Sequence, residues 1–521
     1  MQLSRADRFD VTLRDGVTGA GKTDVYFEAV AACMKAGRQA LILLPEIALT
    51  DAFLARFESR FGTAPAIWHS HQSPAQRRDL YRGIASGHIR AVIGARSALF
   101  LPYPDLGLIV VDEEHEPAYK QEDGVMYHAR DMAVLRGHLG ECPVLLVSAT
   151  PSLETVHNVV QKRYGRLTLP HRYGGAALPE VKLIDMRDSS PPRGFFLSPD
   201  LISAIRKTFA ENQQALLFLN RRGYAPLTLC RACGQRMECP RCTAWLVEHR
   251  KNGQLQCHHC GFSTPLPRQC PSCGAKDSLV TCGPGVERIA EEAAATFPEA
   301  RRVILSSDHT GTEAALHGAL EQIRNKGADL IIGTQIIAKG HHFPDLTCVG
   351  VVDADLGLSG GDLRAAERSY QVLHQVGGRA GRGESPGTVY LQSYNPHHPV
   401  MLALKSGERD SFYAAELQAR EAARMPPFTR LAALIVSSTD PQRAAETARA
   451  LALCAPAASG LAVWGPAPAP LAMLRKRYRY RLLVQAEKHL NVQDSIRAWL
   501  SQVKKPHNVQ IQIDIDPVSF L

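Results

Sequence analysis

No stretch of this 521-residue chain approaches 18 uninterrupted apolar residues, which excludes a helix long enough to cross a bilayer. The opening residues, MQLSRADRFD, lack the apolar segment of a secretory signal peptide. A cytosolic setting is therefore expected, with no membrane partner, and there the 13 cysteines are not expected to pair as disulfides. There is no internal repeat beyond paired cysteines. Charge of one sign is not dominant either. The net charge of +9 is a mild basic bias, compatible with nucleic acid but no evidence for it alone. What the chain does have is 45% hydrophobic and 21% charged residues, the balance of globular cores. At roughly 150 residues per domain, its length predicts about three or four domains.

Short apolar runs organise the first 170 residues. QALILLPE (39–46), LGLIVVDEE (106–114) and CPVLLVSATP (142–151) each end in polar or small residues. That pattern predicts buried parallel strands whose C-terminal ends carry functional loops. QALLFLNRRG (214–223), RRVILSSD (301–308), ADLIIGTQ (328–335) and LTCVGVVDAD (346–355) predict a second α/β region. A cysteine-rich segment, 230–273, has little apolar periodicity and reads as an insertion into it. After YNPHHPV (394–400) a helical stretch leads to a small α+β domain that runs to Leu521.

Gly16, Val17, Thr18, Gly19, Ala20, Gly21, Lys22 and Thr23 fit a phosphate-binding loop between a predicted strand, FDVTL, and a predicted helix ended by Gly37. Its glycines let backbone N–H groups face a β-phosphate. Lys22 would reach the β- and γ-phosphates, and the Thr23 hydroxyl would bind Mg²⁺. Asp112-Glu113-Glu114-His115 follows a predicted strand about 90 residues later. There Asp112 would orient Mg²⁺, and Glu113 would position and activate the attacking water. Arg379 and Arg382, in QVGGRAGR, lie three apart among small residues, suited to stabilising phosphoryl charge from a neighbouring lobe. A solvated basic helix is the plainer reading. Ser148-Ala149-Thr150, and Gly333-Thr334-Gln335 with Ala338-Lys339-Gly340-His341, also follow predicted strands. They suit gripping a nucleic-acid backbone or coupling to nucleotide state, although Ser and Thr are ordinary turn formers.

Cys230/Cys233, Cys239/Cys242, Cys257/Cys260 and Cys270/Cys273 are four CxxC knuckles within 44 residues. Each pair supplies half of a tetrahedral Cys₄ site, so two Zn²⁺ are implied, and three pairings of the knuckles are open. Without metal the segment has almost no core. Cys33, Cys142, Cys348 and Cys454 sit in apolar contexts and read as core residues. RKRYRYR (475–481) alternates basic and aromatic residues. On a strand this puts Arg475, Arg477, Arg479 and Arg481 on one face and Tyr478 and Tyr480 on the other. Two readings stand: a phosphate-tracking surface with stacking aromatics, or an amphipathic strand with a solvated basic face.

The order of these motifs resembles the primosomal protein N′ family, the PriA replication-restart helicases. The likeness is carried by GVTGAGKT, LILLPEIALT, GARSALFLP, VVDEEHEPAYKQEDGVMYHARD, SATPSLE, LLFLNRRGYAP, GTQIIAKGHHFPDLTCVGVVDAD and QVGGRAGR, with the knuckles between NRRGYAP and GPGVERIAEE, and by the later GPAPAPL and IDIDP. It covers nearly the whole chain. The resemblance implies an α/β superfamily 2 helicase core of two RecA-like parallel-sheet lobes, a two-zinc insertion in the second lobe and a small C-terminal α+β domain. The expected boundaries are lobe 1 at 1–172, lobe 2 at 173–228 and 275–395, the zinc insertion at 229–274 and the C-terminal domain at 396–521.

The resemblance further implies an ATP-dependent 3′-to-5′ DNA helicase or translocase that restarts stalled forks through primosome assembly. Expected cofactors are ATP, Mg²⁺ and two Zn²⁺. Expected partners are single-stranded and forked DNA, single-strand DNA-binding protein and other primosome proteins, in a bacterial cytoplasm near the nucleoid. The family pattern nests the knuckles: Cys230, Cys233, Cys270 and Cys273 on one ion, Cys239, Cys242, Cys257 and Cys260 on the other. It assigns Glu116–Arg130, with Tyr119, Tyr127 and His128, to coupling DNA with hydrolysis. Three departures stand out. Gly377 replaces a usual Ala or Ser, ILSSD (304–308) lacks a common arginine, and nothing ahead of the phosphate loop matches the family's N-terminal DNA-binding region. From the last, weak recognition of a 3′ end with intact ATP hydrolysis is expected. A zinc-dependent primosome scaffold with little unwinding is the alternative, and an RNA helicase a third reading.

Overall fold

The computed structural model describes residues 8–45, 51–69, 72–175, 177–192, 194–220, 227–240, 246–249, 254–257, 262–282, 286–306, 313–334, 343–358, 362–383, 385–474 and 476–519. The expectations on Gln335, Ala338, Lys339, Gly340, His341, Asp308, Arg475, Cys242, Cys260 and RRGYAP (221–226) fall outside these residues.

Contacts divide the chain into two compact units: Met1–Leu178 with Ile337–Pro344 and Gly381–Pro386, and Pro179–Ile336 with Asp345–Ala380 and Gly387–Leu521. The first unit alternates strands and helices in chain order: β1 (Val11–Gly16), α1 (Lys22–Lys35), β2 (Gln39–Leu43), α2 (Asp51–Phe61), β3 (Ala66–Trp68), α3 (Pro74–Ala85), β4 (Ala91–Gly94) and β5 (Leu106–Asp112). The short β6 (Lys120–Gln121) and β7 (Tyr127–His128) follow, then α4 (Ala129–Leu139), β8 (Val144–Ser148), α5 (Leu153–Val160) and β9 (Gly165–Leu169). Seven strands form one parallel sheet, ordered β3-β4-β2-β5-β8-β1-β9. Its central strands are buried on both faces, as continuous apolar runs require: Leu41, Val110 and Leu146 are fully covered. One apolar cluster packs α4 against the sheet and a second packs α1 and Phe57 of α2. Chain order reverses beside β1, which opens a crevice at the carboxyl ends of β1 and β5.

The second unit continues with β10 (Glu180–Asp185), α6 (Pro199–Ala210), β11 (Gln214–Phe218), β12 (Leu227–Cys230), β13 (Leu246–His249), β14 (Gln254–Cys257), β15 (Ser263–Pro265) and β16 (Leu279–Cys282). Then come α7 (Val286–Thr296), β17 (Arg302–Leu305), α8 (Glu313–Arg324), β18 (Leu330–Gly333), β19 (Leu346–Val351), α9 (Ala365–Gly377) and β20 (Thr388–Ser393). A six-stranded parallel sheet runs β10-β20-β19-β11-β18-β17. β12 to β16 form a separate antiparallel sheet, ordered β15-β14-β13-β12-β16.

The chain closes with α10 (Pro399–Ser406), α11 (Arg409–Ala422), β21 (Thr429–Ser438), α12 (Pro441–Leu453), β22 (Leu461–Leu474), β23 (Arg477–Glu487), α13 (Val492–Leu500) and β24 (Val509–Ile515). Its four strands make an antiparallel sheet, β22-β23-β21-β24, that packs against α12 and α13 through a core containing Trp499.

Two sequence expectations are corrected here. Cys454 is exposed, because α12 ends at Leu453 and the cysteine caps the helix on the solvent side. Residues 477–481 of the basic-aromatic stretch lie on β23, but the arginine face there is only partly solvated. Arg481 is buried near Asp362, and Arg477 donates to the Ser437 hydroxyl and carbonyl. Tyr480 packs on the apolar core, whereas Tyr478 is exposed.

Candidate nucleotide site and metal centre

β1 delivers the phosphate loop to the crevice, and Gly21 starts α1. Gly19 and Gly21 have φ of +84° and +74°, the left-handed region where side chains are strained. Gly16 is required for a different reason: a Cβ there would meet Leu169 Cβ and Lys22 Cγ at 3.0 Å. The segment after β9 braces the loop. The Tyr173 N–H donates to Gly19 O at 3.0 Å, and Arg172 Nε donates to Thr18 O at 3.2 Å.

The Lys22 ammonium donates to Gly16 O (3.0 Å) and Val17 O (3.4 Å) and makes no ion pair among the described residues. Burial lowers its pKa, while Glu113, Asp112 and Asp15 pull it back up and Arg382 adds to the lowering. The buried Thr18 hydroxyl has no hydrogen-bond partner among the described residues. A glycine loop at a helix N-terminus, with a cation and a hydroxyl lacking a partner among the described residues, fits a polyphosphate.

Asp112 ends β5, with β8 between it and β1. Its carboxylate accepts from Tyr26 Oη on α1 at 3.0 Å and from the Glu113 N–H at 2.9 Å. Burial and the neighbouring Glu113 push its pKa up to about 7, against the pull of Lys22. A carboxylate so placed is poised to take a divalent cation. Glu113 has a φ of +49°, uncommon for a side-chain-bearing residue, and one of its carboxylate oxygens lacks a hydrogen-bond partner among the described residues.

The next two residues face inward. Glu114 is fully buried and accepts from Arg130 Nη1 (3.2 Å), the Ser152 N–H (2.7 Å), the Ser152 hydroxyl (3.1 Å) and the Thr155 hydroxyl (3.0 Å). His115 Nδ1 lies 2.7 Å from Ser148 Oγ and 3.6 Å from Glu113 Oε2. Ser148 and Thr150 are therefore buried against His115 rather than displayed, which favours coupling over a backbone grip. Tyr119 is also buried, its hydroxyl within hydrogen-bond distance of Leu43 O (2.9 Å) and Asp112 O (2.6 Å) and able to donate to either, so it ties strand ends together. Sequence reasoning missed Tyr26, and it placed Glu114 and Arg130 in motifs without seeing that they pair. Only the i, i+4 position of Tyr26 after Lys22 hinted that it could face the same crevice.

Arg382 belongs to the segment that packs with the first unit, near enough to Lys22 to affect its charge state. Arg379 belongs to the second unit, is nearly buried and follows the largely buried α9, which removes the solvated-helix reading.

In the insertion, Cys230, Cys233, Cys270 and Cys273 converge, with all four Sγ atoms within 4.8 Å of one another. Cys230–Cys273 and Cys233–Cys270 are each 3.7 Å apart. A tetrahedron with metal–sulfur bonds of about 2.3 Å has edges of about 3.8 Å, so this donor set fits Zn²⁺. First and fourth knuckles therefore sit together. Cys239 and Cys257 are buried in a common cluster with Met237, Leu246 and Leu255.

Residues 6–159, which hold the phosphate loop and Asp112, match the DEAD/DEAH box helicase model, so the class is that of a helicase. Residues 239–265 match the PriA DNA helicase Cys-rich region domain, and 421–518 the primosomal protein N C-terminal domain. The chain is 48% identical over 509 residues to replication restart protein PriA of Rickettsia conorii, covering 98% of this chain and 78% of that one. It is 38% identical over 523 residues to replication restart protein PriA of Bacillus subtilis, covering 99% of this chain and 65% of that one. This chain belongs to the replication restart protein PriA family. The solved structure of RecG bound to a three-way DNA junction aligns with 79% of this chain and 43% of that one, at 16% identity and a TM-score of 0.43. No helix among the described residues is long and apolar enough to cross a membrane.

Proposed function

We propose that this replication-restart helicase hydrolyses ATP to move 3′ to 5′ along single-stranded DNA and opens forked DNA. The observation that carries this reading is the Lys22 ammonium, with no carboxylate ion pair among the described residues, beside the buried, cation-ready Asp112. Gly16, Val17, Thr18, Gly19, Ala20, Gly21, Lys22 and Thr23 cradle the phosphates in this reading, and Asp112 with the Thr23 hydroxyl holds Mg²⁺. Bound Mg·ATP supplies the phosphoryl group whose transfer drives movement. Glu113 orients water in this reading; its carboxylate is part-exposed and one oxygen has no hydrogen-bond partner among the described residues. Arg382 and Arg379 offset charge that develops on the transferred group. His115, bonded to Ser148 and facing Thr150, links that carboxylate pair to the strand end after β8.

The insertion holds two Zn²⁺ in this reading, one on Cys230, Cys233, Cys270 and Cys273 and one on Cys239, Cys242, Cys257 and Cys260. Partners follow from the family: single-strand DNA-binding protein and other primosome proteins, in the cytoplasm at the nucleoid. The scaffold alternative is not favoured, since the matched family models describe a helicase. The test is ATP turnover by the zinc-loaded chain with and without single-stranded DNA, and with RNA as competitor. Absence of stimulation by DNA overturns the proposal, and stronger stimulation by RNA redirects it.

A further inference from the structure

The insertion is tied to the parallel sheet of its own unit by one buried charge pair. Arg236 lies midway between Cys233 and Cys239. Its Nη2 reaches Asp355 Oδ2 at 2.7 Å and its Nη1 donates to Asp355 O at 3.2 Å. Asp355 is fully buried just beyond β19 and holds three strand ends together. Its Oδ1 accepts from the Ser393 hydroxyl at 2.6 Å, and Oδ2 from the Tyr394 N–H at 2.7 Å, both at the end of β20. The adjoining Leu356 carbonyl accepts from Asn220 Nδ2, just beyond β11, at 2.9 Å. The knuckle itself lies close against this point: a Cβ on Gly234 would stand 3.0 Å from Tyr394 O.

We infer that Arg236 is a positioning residue through which metal at Cys230, Cys233, Cys270 and Cys273 and the Asp355 turn stabilise one another. The Cys230–Cys233 turn closes through Gly234 N–H to Cys230 O at 2.8 Å and Cys230 N–H to Gln235 O at 2.7 Å. Arg236 leaves that turn directly, so fixing the sulfurs fixes where its guanidinium points. A planar, permanently charged guanidinium suits this task, since it meets the carboxylate and the backbone carbonyl together. Without it, Asp355 is a buried carboxylate with one partner fewer, and the knuckle loses its anchor. Coupling is reciprocal: whatever Asp355 contributes to metal retention, metal contributes to the Asp355 turn.

The inference rests on the zinc reading of the four cysteines, so metal content of the full chain is measured first. If no zinc copurifies, that reading and this inference fail together, independently of helicase activity. With zinc present, its release to a chelating dye is timed in the wild type, Arg236→Gln, Arg236→Lys, Asp355→Asn and the Arg236→Gln/Asp355→Asn double variant. The expected result is about tenfold faster release of one zinc in either neutralising variant, with the double variant no faster, and partial rescue in Arg236→Lys. Asp355→Asn is nearly isosteric and keeps the test open if Arg236→Gln does not fold. Release within twofold of wild type in folded Asp355→Asn, or additive effects in the double variant, overturns the inference.

Discussion

Two neighbouring carboxylates, Glu113 and Glu114, should fail in opposite ways when neutralised. Glu114→Gln keeps the shape but removes the charge that Arg130 faces, with side chains 9% and 0% exposed. Removing one partner of a buried pair costs about 3–5 kcal/mol. Asp131 still holds Arg130 at 2.8 Å, and a glutamine oxygen can keep the Ser152 N–H, so the lower end, about 3 kcal/mol, is expected. For a unit of this size that corresponds to a drop of about 6–12 °C in Tm. Glu113→Gln alters a part-exposed group with one carboxylate oxygen lacking a hydrogen-bond partner among the described residues, so stability should stay within about 0.5 kcal/mol. Turnover, however, should fall by about 10²–10⁴, the usual loss for a positioned base. The assay is thermal unfolding beside DNA-stimulated ATPase on the same preparations. Glu114→Gln unfolding at the wild-type temperature, or Glu113→Gln turning over normally, refutes the division of roles.

Other perturbations give equally direct outcomes. Because burial and Glu113 raise Asp112 to about 7, its cation-binding form is the minority below that pH. Mg·ATP affinity should rise with pH from 6 to 8 and level off above, with proton release on binding seen by calorimetry in buffers of different ionisation enthalpy. Affinity that is flat across this range contradicts it. Stability without ligand runs the other way: a carboxyl raised on folding loses its contribution as pH climbs from its unfolded value toward 7. Tyr26→Phe removes a hydrogen bond that lowers the Asp112 pKa, so the affinity profile should shift to higher pH. Chelating zinc should collapse the insertion while ATP binding at Lys22 persists, measured by circular dichroism and nucleotide titration; retained insertion structure opposes this. Arg481→Ala should lower stability by about 1–3 kcal/mol with no change in the salt dependence of DNA binding, because Arg481 is buried near Asp362.

Much of the motor was legible because its signals are local. Residues 39–43, 106–112 and 144–148 are continuous apolar runs, and such runs become buried parallel strands. The phosphate loop and the knuckles are fixed spacings whose geometry follows from glycine φ and sulfur tetrahedra. What sequence could not supply was partnership across long separations. Glu114 read as one more acidic residue until Arg130, Ser152 and Thr155 closed around it. Arg236 carried no signal, since its partner is 119 residues away. RKRYRYR misled because alternation gives the two faces of a strand but not which is covered. Ser437, Asn508 O and Asp362 engage the arginine face in part.

The central claim is that Lys22 and Asp112 form the nucleotide site that drives unwinding. Strand displacement on forked DNA by the zinc-loaded chain tests it most directly, comparing wild type with Lys22→Ala at equal folded concentration. The account predicts ATP-dependent displacement by wild type and none by Lys22→Ala, with DNA binding and zinc content unchanged. Undiminished displacement by Lys22→Ala would contradict it.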